Sequence, residues 1–314
     1  MKKFNILYVI LATAALSIYA TNSYNSSQNQ KTEESANKEV QGKNEIPEVD
    51  SEQKVTCPPL PEKMTFAGQN IPMDGIDFKE RLDKEIIVNM FRHSHTLLFL
   101  KKSKMYFSII EPILKKNGLP DDFKYLAVIE SGLENVVSPA GAAGVWQFMK
   151  PTAKNFDMEV DKFVDERYHL EKSTEAACEF LKRLHRVYDD WFLAAAAYNR
   201  GQGGISEAME EQGVNSYFDL YLNSETARYV FRMLAVKLIM ENPEKYGFYI
   251  ADDQYYQLPD SKEIKVAETI DDLKIFAKEQ GTNYKSLKLL NPWIRSSKLP
   301  KGNKPYTIKI PIKD

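Results

Sequence analysis

Cysteine and histidine are scarce in this sequence. Its 314 residues include two cysteines, Cys57 and Cys178, and four histidines. Two cysteines cannot form a disulfide framework, and neither stands at a metal-ligand spacing from a histidine, so we expect no metal site and no cofactor. Cys178 lies among apolar residues and is expected to be a buried thiol. A single Cys57 to Cys178 bridge stays open as an alternative if the protein lies outside the cytoplasm.

Net charge is small as well. The formal net charge is -2, which provides no electrostatic reason to bind nucleic acid or an anionic membrane surface. A neutral polymer is therefore the favoured partner. Hydrophobic residues make up 43% of the chain, which is enough for a sizeable core, and the length allows two domains.

Long apolar runs are rare, and one of them stands at the N-terminus. Lys2 and Lys3 precede an apolar run from Ile6 to Ala20, which predicts a secretory signal over residues 1–20. The run is short for a spanning helix, but an uncleaved anchor associated with the envelope membrane stays open. Residues 21–60 are rich in Asn, Ser, Gln, Glu and Lys, and we expect a disordered linker there.

Helical periodicity dominates the middle of the chain, and it predicts a mainly α fold. Over residues 61–120 we expect two helices that form a packing layer without chemistry, with His93 and His95 on the surface. Residues 121–250 carry the stronger patterns. They predict a helix that begins at Ser173 and buries Val187, and an all-round apolar, fully buried helix from Trp191 to Tyr198.

The composition changes past residue 250. Residues 251–314 read as a strand at 264–266, helices over 270–280 and 284–290, and a second strand over 306–312. This order predicts a small βααβ module at the C-terminus.

One acidic residue, Glu130, stands at the end of an apolar run. Asp121 or Asp122 is predicted to cap the helix at its start, and Ser131-Gly132 to end it. Burial and the negative end of the helix dipole both disfavour the ionised carboxylate, so the pKa of Glu130 should rise towards the range of a general acid. The alternative is that Glu130 ends the helix in water, facing away from the core.

The residues that follow favour the first interpretation. Residues 138–144, SPAGAAG, predict a tight turn that lets backbone approach a ligand, and residues 145–149, VWQFM, predict an aromatic surface with one amide, of the kind that binds sugars. Together with AYNRG at 197–201 and ETARYV at 225–230, a helix start that we expect Ser224 to cap, this order of motifs resembles the lysozyme-like lytic transglycosylases. The WQF form is similar to the membrane-bound lytic murein transglycosylase D type, and the resemblance covers roughly residues 121 to 240.

The resemblance implies a lysozyme-like α+β catalytic domain, mainly α, over residues 121–250. It implies an exported enzyme of the periplasm or cell envelope that cleaves the β-1,4 bond between N-acetylmuramic acid and N-acetylglucosamine in peptidoglycan and leaves 1,6-anhydro ends. Glu130 would be the catalytic acid and base, and Trp146 and Phe148 would support the cleft wall. The substrate-binding residues implied by the motifs are Ser138, Gln147, Tyr198, Asn199, Glu225 and Tyr229.

The C-terminal module resembles a LysM carbohydrate-binding module, with residues 289–292, LLNP, at the matching end of its second helix. It lacks the usual glycine near residue 268, and a packing appendage without sugar affinity is the alternative. We expect its deletion to weaken binding to intact peptidoglycan while leaving cleavage of short glycans largely unchanged.

The catalytic motifs depart from the family pattern at Arg200 and Gly204, which affects the loop on the substrate side. A solvated residue at a helix N-terminus is the alternative for Glu225. Two rival functions stay open: a lysozyme-type hydrolase of the same fold, and a peptidoglycan-binding protein without catalysis.

Overall fold

The computed structural model describes residues 55–312, and these residues form a mainly α structure with two small antiparallel sheets. The predicted signal segment and almost all of the predicted linker lie outside the described residues. Within the described range, no helix is both long and apolar enough to cross a membrane. In chain order the elements are β1 Thr65–Phe66, β2 Gln69–Asn70, α1 Phe78–Phe91, α2 His93–Lys116, α3 Lys124–Ser131, α4 Lys150–Asn155, α5 Leu170–Tyr188, α6 Trp191–Arg200, α7 Gln202–Gln212, α8 Ser224–Glu241, β3 Ser261–Val266, α9 Leu273–Glu279, α10 Tyr284–Leu290 and β4 Tyr306–Pro311.

Helix α6 lies at the centre of the larger apolar core. Its residues from Phe192 to Ala197 are all buried, which confirms the prediction of a fully buried helix. Helices α1, α2, α3, α5, α7 and α8 each bury apolar residues in the same core. The side chain of Asp190 caps α6 by accepting from the amide of Leu193 at 2.7 Å.

Helix α3 ends where the sequence predicts but begins without the predicted cap. Gly132 adopts a φ of 64° and ends the helix, which confirms the stop signal. Neither Asp121 nor Asp122 caps α3, since both lie in a short 3₁₀ turn before it. Asp122 instead accepts from the amide of Ala67 at 2.7 Å and pairs with Lys237. A cation and an amide brought by tertiary packing outcompete the local cap for this carboxylate.

Two other helix boundaries differ from the sequence-based expectation. Helix α5 begins at Leu170 rather than Ser173, and Val187 in its last turn is 50% exposed rather than buried. The cap of α8 is Asn223 rather than Ser224, because the amide oxygen of Asn223 accepts from the amide of Thr226 at 3.0 Å. Both cysteines are free, Cys57 exposed and Cys178 buried, so no bridge joins them.

The C-terminal module contains the strand, two helices and strand that the sequence predicts. Strand β3 pairs antiparallel with β4, with Ile264 opposite Ile308. Helix α9 begins three residues later than predicted, because Asp272 caps it and Ile270 instead exchanges backbone hydrogen bonds with Leu299. The apolar cluster of the module also contains Val164 and Tyr168 from the larger region, so the larger region contributes to the core of the module.

Candidate active site

The side chain of Glu130 lines a cavity of about 630 Å³. Helices α1 and α2 contribute Asn89 and His95 to the lining of this cavity, and α8 contributes Glu225 and Arg232. The helices that the sequence analysis treated as a packing layer therefore form part of the cavity that contains the predicted catalytic residue.

The carboxyl group of Glu130 is held in its neutral form up to about neutral pH. It lies in the last turn of α3, whose end is fixed by a hydrogen bond of 2.7 Å from the amide of Gly132 to the carbonyl of Val128. Removal from water raises the pKa of Glu130 from 4.5 to about 7. A carboxyl group with such a pKa can both give and take a proton near neutral pH.

Two side chains of α8 oppose this rise in pKa. The hydroxyl of Tyr229 donates to Oε1 of Glu130, and Arg232 donates to the carbonyl of Ile129 at 2.6 Å. The hydrogen bond from Tyr229 and the positive charge of Arg232 both lower the pKa of Glu130, while the charge of Glu225 raises it. Burial raises the pKa of Tyr229 itself, so its hydroxyl keeps the proton that it donates. The hydrogen bond from Tyr229 fixes the position of the carboxyl group of Glu130.

We predict that Arg232→Gln moves the pH profile of cleavage. Loss of the guanidinium charge should raise the pKa of Glu130, since that charge favours the carboxylate. The protonated acid then persists to higher pH, and the alkaline limb of activity should shift upward. Arg232→Lys keeps the charge and should leave the limb in place. An unchanged limb in Arg232→Gln would show that Arg232 has no part in setting this pKa.

The turn that carries Gln147 is fixed by hydrogen bonds to its backbone. Gln147 has a φ of 49°, a backbone conformation that residues other than glycine rarely adopt. Its side-chain nitrogen donates to the carbonyls of Val136 at 3.1 Å and Gly144 at 2.8 Å. The hydroxyl of Tyr198 donates to the carbonyl of Trp146 at 2.8 Å. Tyr198 thus anchors the turn. Burial raises the pKa of Tyr198, so its hydroxyl keeps its proton and acts as a hydrogen-bond donor there.

The aromatic residues on either side of Gln147 lie behind the turn. Trp146 and Phe148 are buried, so they present no surface on which a sugar could stack. The indole nitrogen of Trp146 donates to Thr174 at 2.8 Å. The expectation of an exposed aromatic surface was wrong here, because the turn directs both rings into the core.

Asn199 and Glu225 form a pair at the cavity. The side-chain nitrogen of Asn199 donates to Glu225 at 3.2 Å, and its oxygen accepts from the hydroxyl of Thr226 at 3.0 Å. Glu225 is exposed and lies in the first turn of α8, but it also lines the cavity of Glu130. Of the predicted site residues, Glu130 and Glu225 line this cavity, whereas the lining does not include Ser138, Gln147, Tyr198, Asn199 or Tyr229. The hydroxyl of Ser138 accepts from the amide of Ala142 at 3.0 Å within the turn.

The sequence analysis missed His95 and Arg232. His93 is exposed, as expected, whereas His95 is partly buried in the cavity wall. Burial lowers the pKa of His95, and the positive charge of Arg92 lowers it further. No motif marks either residue. Arg232 lies one turn after Tyr229 on α8, so helical spacing from the motif tyrosine is the one signal that could have found it.

Comparison with known protein families agrees with this geometry. Residues 107–220 match the family described as transglycosylase SLT domain. The chain carries an SLT domain. Residues 262–314 match a second family, the soluble lytic transglycosylase C-terminal LysM-like domain. The SLT match begins inside α2, so His95 and Asn89 in the cavity wall precede it.

The chain is homologous to membrane-bound lytic murein transglycosylase D of Escherichia coli K12. The two are 27% identical over 258 residues, which cover 77% of this chain and 54% of that relative. The chain spans about half the length of the curated relatives that it matches.

Two solved structures are also similar to part of the chain. The lytic transglycosylase Slt of Pseudomonas aeruginosa, solved as an inactive mutant, is 20% identical with a TM-score of 0.37, covering 48% of this chain and 26% of that one. The 70 kDa soluble lytic transglycosylase of Escherichia coli is 19% identical with a TM-score of 0.37, and the coverage is the same, 48% and 26%.

Proposed function

We propose that this protein is a lytic transglycosylase that cleaves the β-1,4 bond between N-acetylmuramic acid and N-acetylglucosamine in peptidoglycan and leaves 1,6-anhydro ends. The observation that carries the proposal is Glu130, a cavity-lining carboxyl group in the last turn of α3 with a pKa of about 7. The SLT domain and the homologous murein transglycosylase support the substrate class.

Glu130 supplies a proton and then recovers one. In the first step the acid gives its proton to the glycosidic oxygen as the bond from C1 to that oxygen breaks, while the N-acetyl group of the substrate supports C1. In the second step the carboxylate of Glu130 takes the proton of the muramic 6-hydroxyl as that oxygen bonds to C1. The acid is restored and no water is consumed. The hydrogen bond from Tyr229 stabilises the carboxylate between the two steps.

The remaining predicted site residues have roles that follow from their contacts. Gln147 uses its nitrogen on two carbonyls, which leaves its amide oxygen to accept from an acetamido N–H of the substrate. Tyr198 acts through the turn that it anchors. Asn199 orients Glu225 at the cavity, and Ser138 shapes the turn from within.

A hydrolase of the same fold is the second candidate. Glu225 lines the same cavity as Glu130, and most glycoside hydrolases use two carboxyl groups in one active site. In that reaction water, activated by a carboxylate, would replace the muramic 6-hydroxyl and the product would end in a reducing sugar.

Product analysis separates these functions. Purified sacculi are digested with the full-length protein, and the released muropeptides are identified by mass spectrometry before and after borohydride treatment. We expect anhydro-muramyl ends that borohydride does not reduce. Reducing ends would assign a hydrolase, and absence of release with retained binding to sacculi would assign a peptidoglycan-binding protein.

Export and an affinity for glycan strands belong to the same proposal. The apolar run from Ile6 to Ala20 supports a location in the cell envelope, as does the homology to a membrane-bound relative. Recovery of the native protein in the cytosolic fraction would contradict this location. The match to a LysM-like domain supports glycan strands as the partner of the C-terminal module.

A further inference from the structure

Arg167 is a buried cation outside the predicted site. It lies in the 3₁₀ turn Glu166–Tyr168 and is 8% exposed. Its guanidinium makes two hydrogen bonds to Asp165, from Nε at 2.9 Å and from Nη2 at 2.7 Å. A buried ion pair has a high desolvation cost, which is offset only when the remaining donors also find partners.

The remaining donors of Arg167 bind the turn that carries Gln147. Nη1 donates to the carbonyl of Gly141 at 2.9 Å and to the carbonyl of Phe148 at 3.1 Å. These carbonyls lie near the two ends of the turn, so one guanidinium group holds both ends. The amide of Ala143 also donates to the carbonyl of Phe148, at 3.0 Å, which closes the turn on itself.

Close backbone packing adds to this contact. A Cβ atom at Gly144 would lie 1.9 Å from the carbonyl oxygen of Arg167, so the turn can approach the arginine only with glycine at this position. Gln147, three residues later, keeps its φ of 49° in this arrangement. For a residue other than glycine such a conformation persists only where surrounding contacts impose it.

The LysM-like module binds the segment just before Arg167. The amide of Asp165 donates to the carbonyl of Trp293 at 2.8 Å, and the amide of Arg295 donates to the carbonyl of Phe163 at 2.7 Å. Val164, between these bonds, is buried in the apolar cluster of the module. The segment that presents the ion pair is therefore an additional strand-like edge of the module.

We propose that Arg167 is a positioning residue of the active site, and that the LysM-like module holds it in place. The expected effect of Arg167 on glycan cleavage rests on the proposed function. Its support of the turn that carries Gln147 rests on the contacts above. It assigns the module a second role besides glycan binding, since the module supports the turn that carries Gln147. The module is then not separable from catalysis, contrary to the expectation from the sequence that its deletion spares short glycans.

The first test is a double-mutant cycle between Arg167 and Gln147. Arg167→Lys keeps the charge but cannot bind Asp165 and both carbonyls at once. We expect turnover of short glycans, with anhydro and reducing ends counted together, to fall about 10- to 100-fold, as for a displacement of roughly 1 Å at a reacting centre. In the Gln147→Ala background, Arg167→Lys should lower this turnover by less than about 3-fold, because the effect of Arg167 passes through Gln147.

Arg81→Lys is the matched control. Arg81 also pairs with an aspartate, Asp77, and donates to a backbone carbonyl, that of Ala227, but it has no contact with the turn. Its turnover should stay within about 2-fold of the unmodified protein. A full loss from Arg167→Lys in the Gln147→Ala background would contradict the proposal, because a general structural defect adds to the second substitution instead of merging with it.

A second measurement does not depend on the reaction. Amide hydrogen exchange is followed at Ala143, Gly144 and Gln147, whose amides are all hydrogen-bonded. Arg167→Lys should speed exchange at these amides about 10-fold or more while α6 stays protected. Ile294→Ala, a cavity-forming change inside the module, should speed exchange in the same turn.

These exchange results separate the two proposals. If the module amides of Ile294→Ala exchange faster and the turn amides do not, the module does not support the turn and the inference fails. If the turn responds as expected but the unmodified protein cleaves no glycan, the inference on the turn holds and the proposed function fails.

Discussion

Glu130→Gln should lose nearly all glycan cleavage and should keep or gain stability. The amide is nearly isosteric but can neither give nor take the proton, and a group that serves as acid and then as base should contribute at least the roughly 10²- to 10⁴-fold typical of general acid-base catalysis. Binding of glycan strands should survive, because the shape of the site is kept. Release of muropeptides and the melting temperature should be measured on the same preparation.

The stability effect has a defined pH window. The pKa of Glu130 is about 7 in the folded protein against an ordinary value of 4.5, so the folded state binds this proton more tightly. Its contribution to stability is fully present below pH 4.5 and is lost as the pH rises through 7. Glutamine cannot ionise, so its advantage over glutamate should be visible at pH 8 and absent at pH 4. Each kcal/mol of that advantage corresponds to ~2–4 °C in melting temperature.

Glu134→Gln is the control for this experiment. Glu134 lies four residues further along, and its half-exposed carboxylate forms an ion pair with Lys102. Exposed ion pairs contribute about 0–1 kcal/mol, so activity and melting temperature should hardly change. A stable Glu130→Gln variant that releases anhydro-muropeptides at a near normal rate would remove Glu130 from the mechanism.

Gly144→Ala should cause a large loss of stability although it adds a single methyl group. Gly144 has a φ of 80°, which costs a residue with a Cβ about 1–2 kcal/mol. The added Cβ would also lie 1.9 Å from the carbonyl oxygen of Arg167, a backbone atom that cannot move without the whole segment. Overpacking adds about 1–3 kcal/mol. Urea unfolding should therefore show a loss of roughly 2–5 kcal/mol, together with a loss of glycan cleavage.

Gly141→Ala isolates the contribution of the clash. Gly141 lies in the same turn with a φ of 87°, but nothing lies within 4 Å of its added Cβ. Gly141→Ala should lose only the part of the stability that comes from backbone conformation, about 1–2 kcal/mol. Equal losses for the two substitutions would mean that the turn moves freely away from Arg167, and would also weaken the proposed role of that arginine.

The parts of the fold that could be predicted are those with local patterns. The helix of residues 191–200 is buried on all sides because every position from Phe192 to Ala197 is apolar, and the bounds of α10 agree with the prediction because Asn283 and Asn291 flank its apolar residues. Helix starts were less reliable. Asp122 has the chemistry of a cap, but Lys237 and the amide of Ala67 take its carboxylate.

The parts that could not be predicted depend on backbone atoms or on distant helices. Arg167 binds carbonyls of residues 26 and 19 positions earlier in the chain. A carbonyl is the same for every residue type, so such a contact leaves no trace in the sequence. The same applies to His95, which reaches the cavity because α2 packs beside α3 and not because of any motif near it.

From the sequence alone, the candidate acid, its place at the end of an apolar helix and the raised pKa all followed, because a helix stop and an apolar run are local features. The order of the motifs also indicated a glycan-cleaving domain with a LysM-like module behind it. Tertiary structure decided which side chains share the cavity with Glu130, and that Trp146 and Phe148 point inward. It also decided that the module and the turn of Gln147 meet through Arg167, because hydrogen bonds between distant backbone groups form only once the chain has packed.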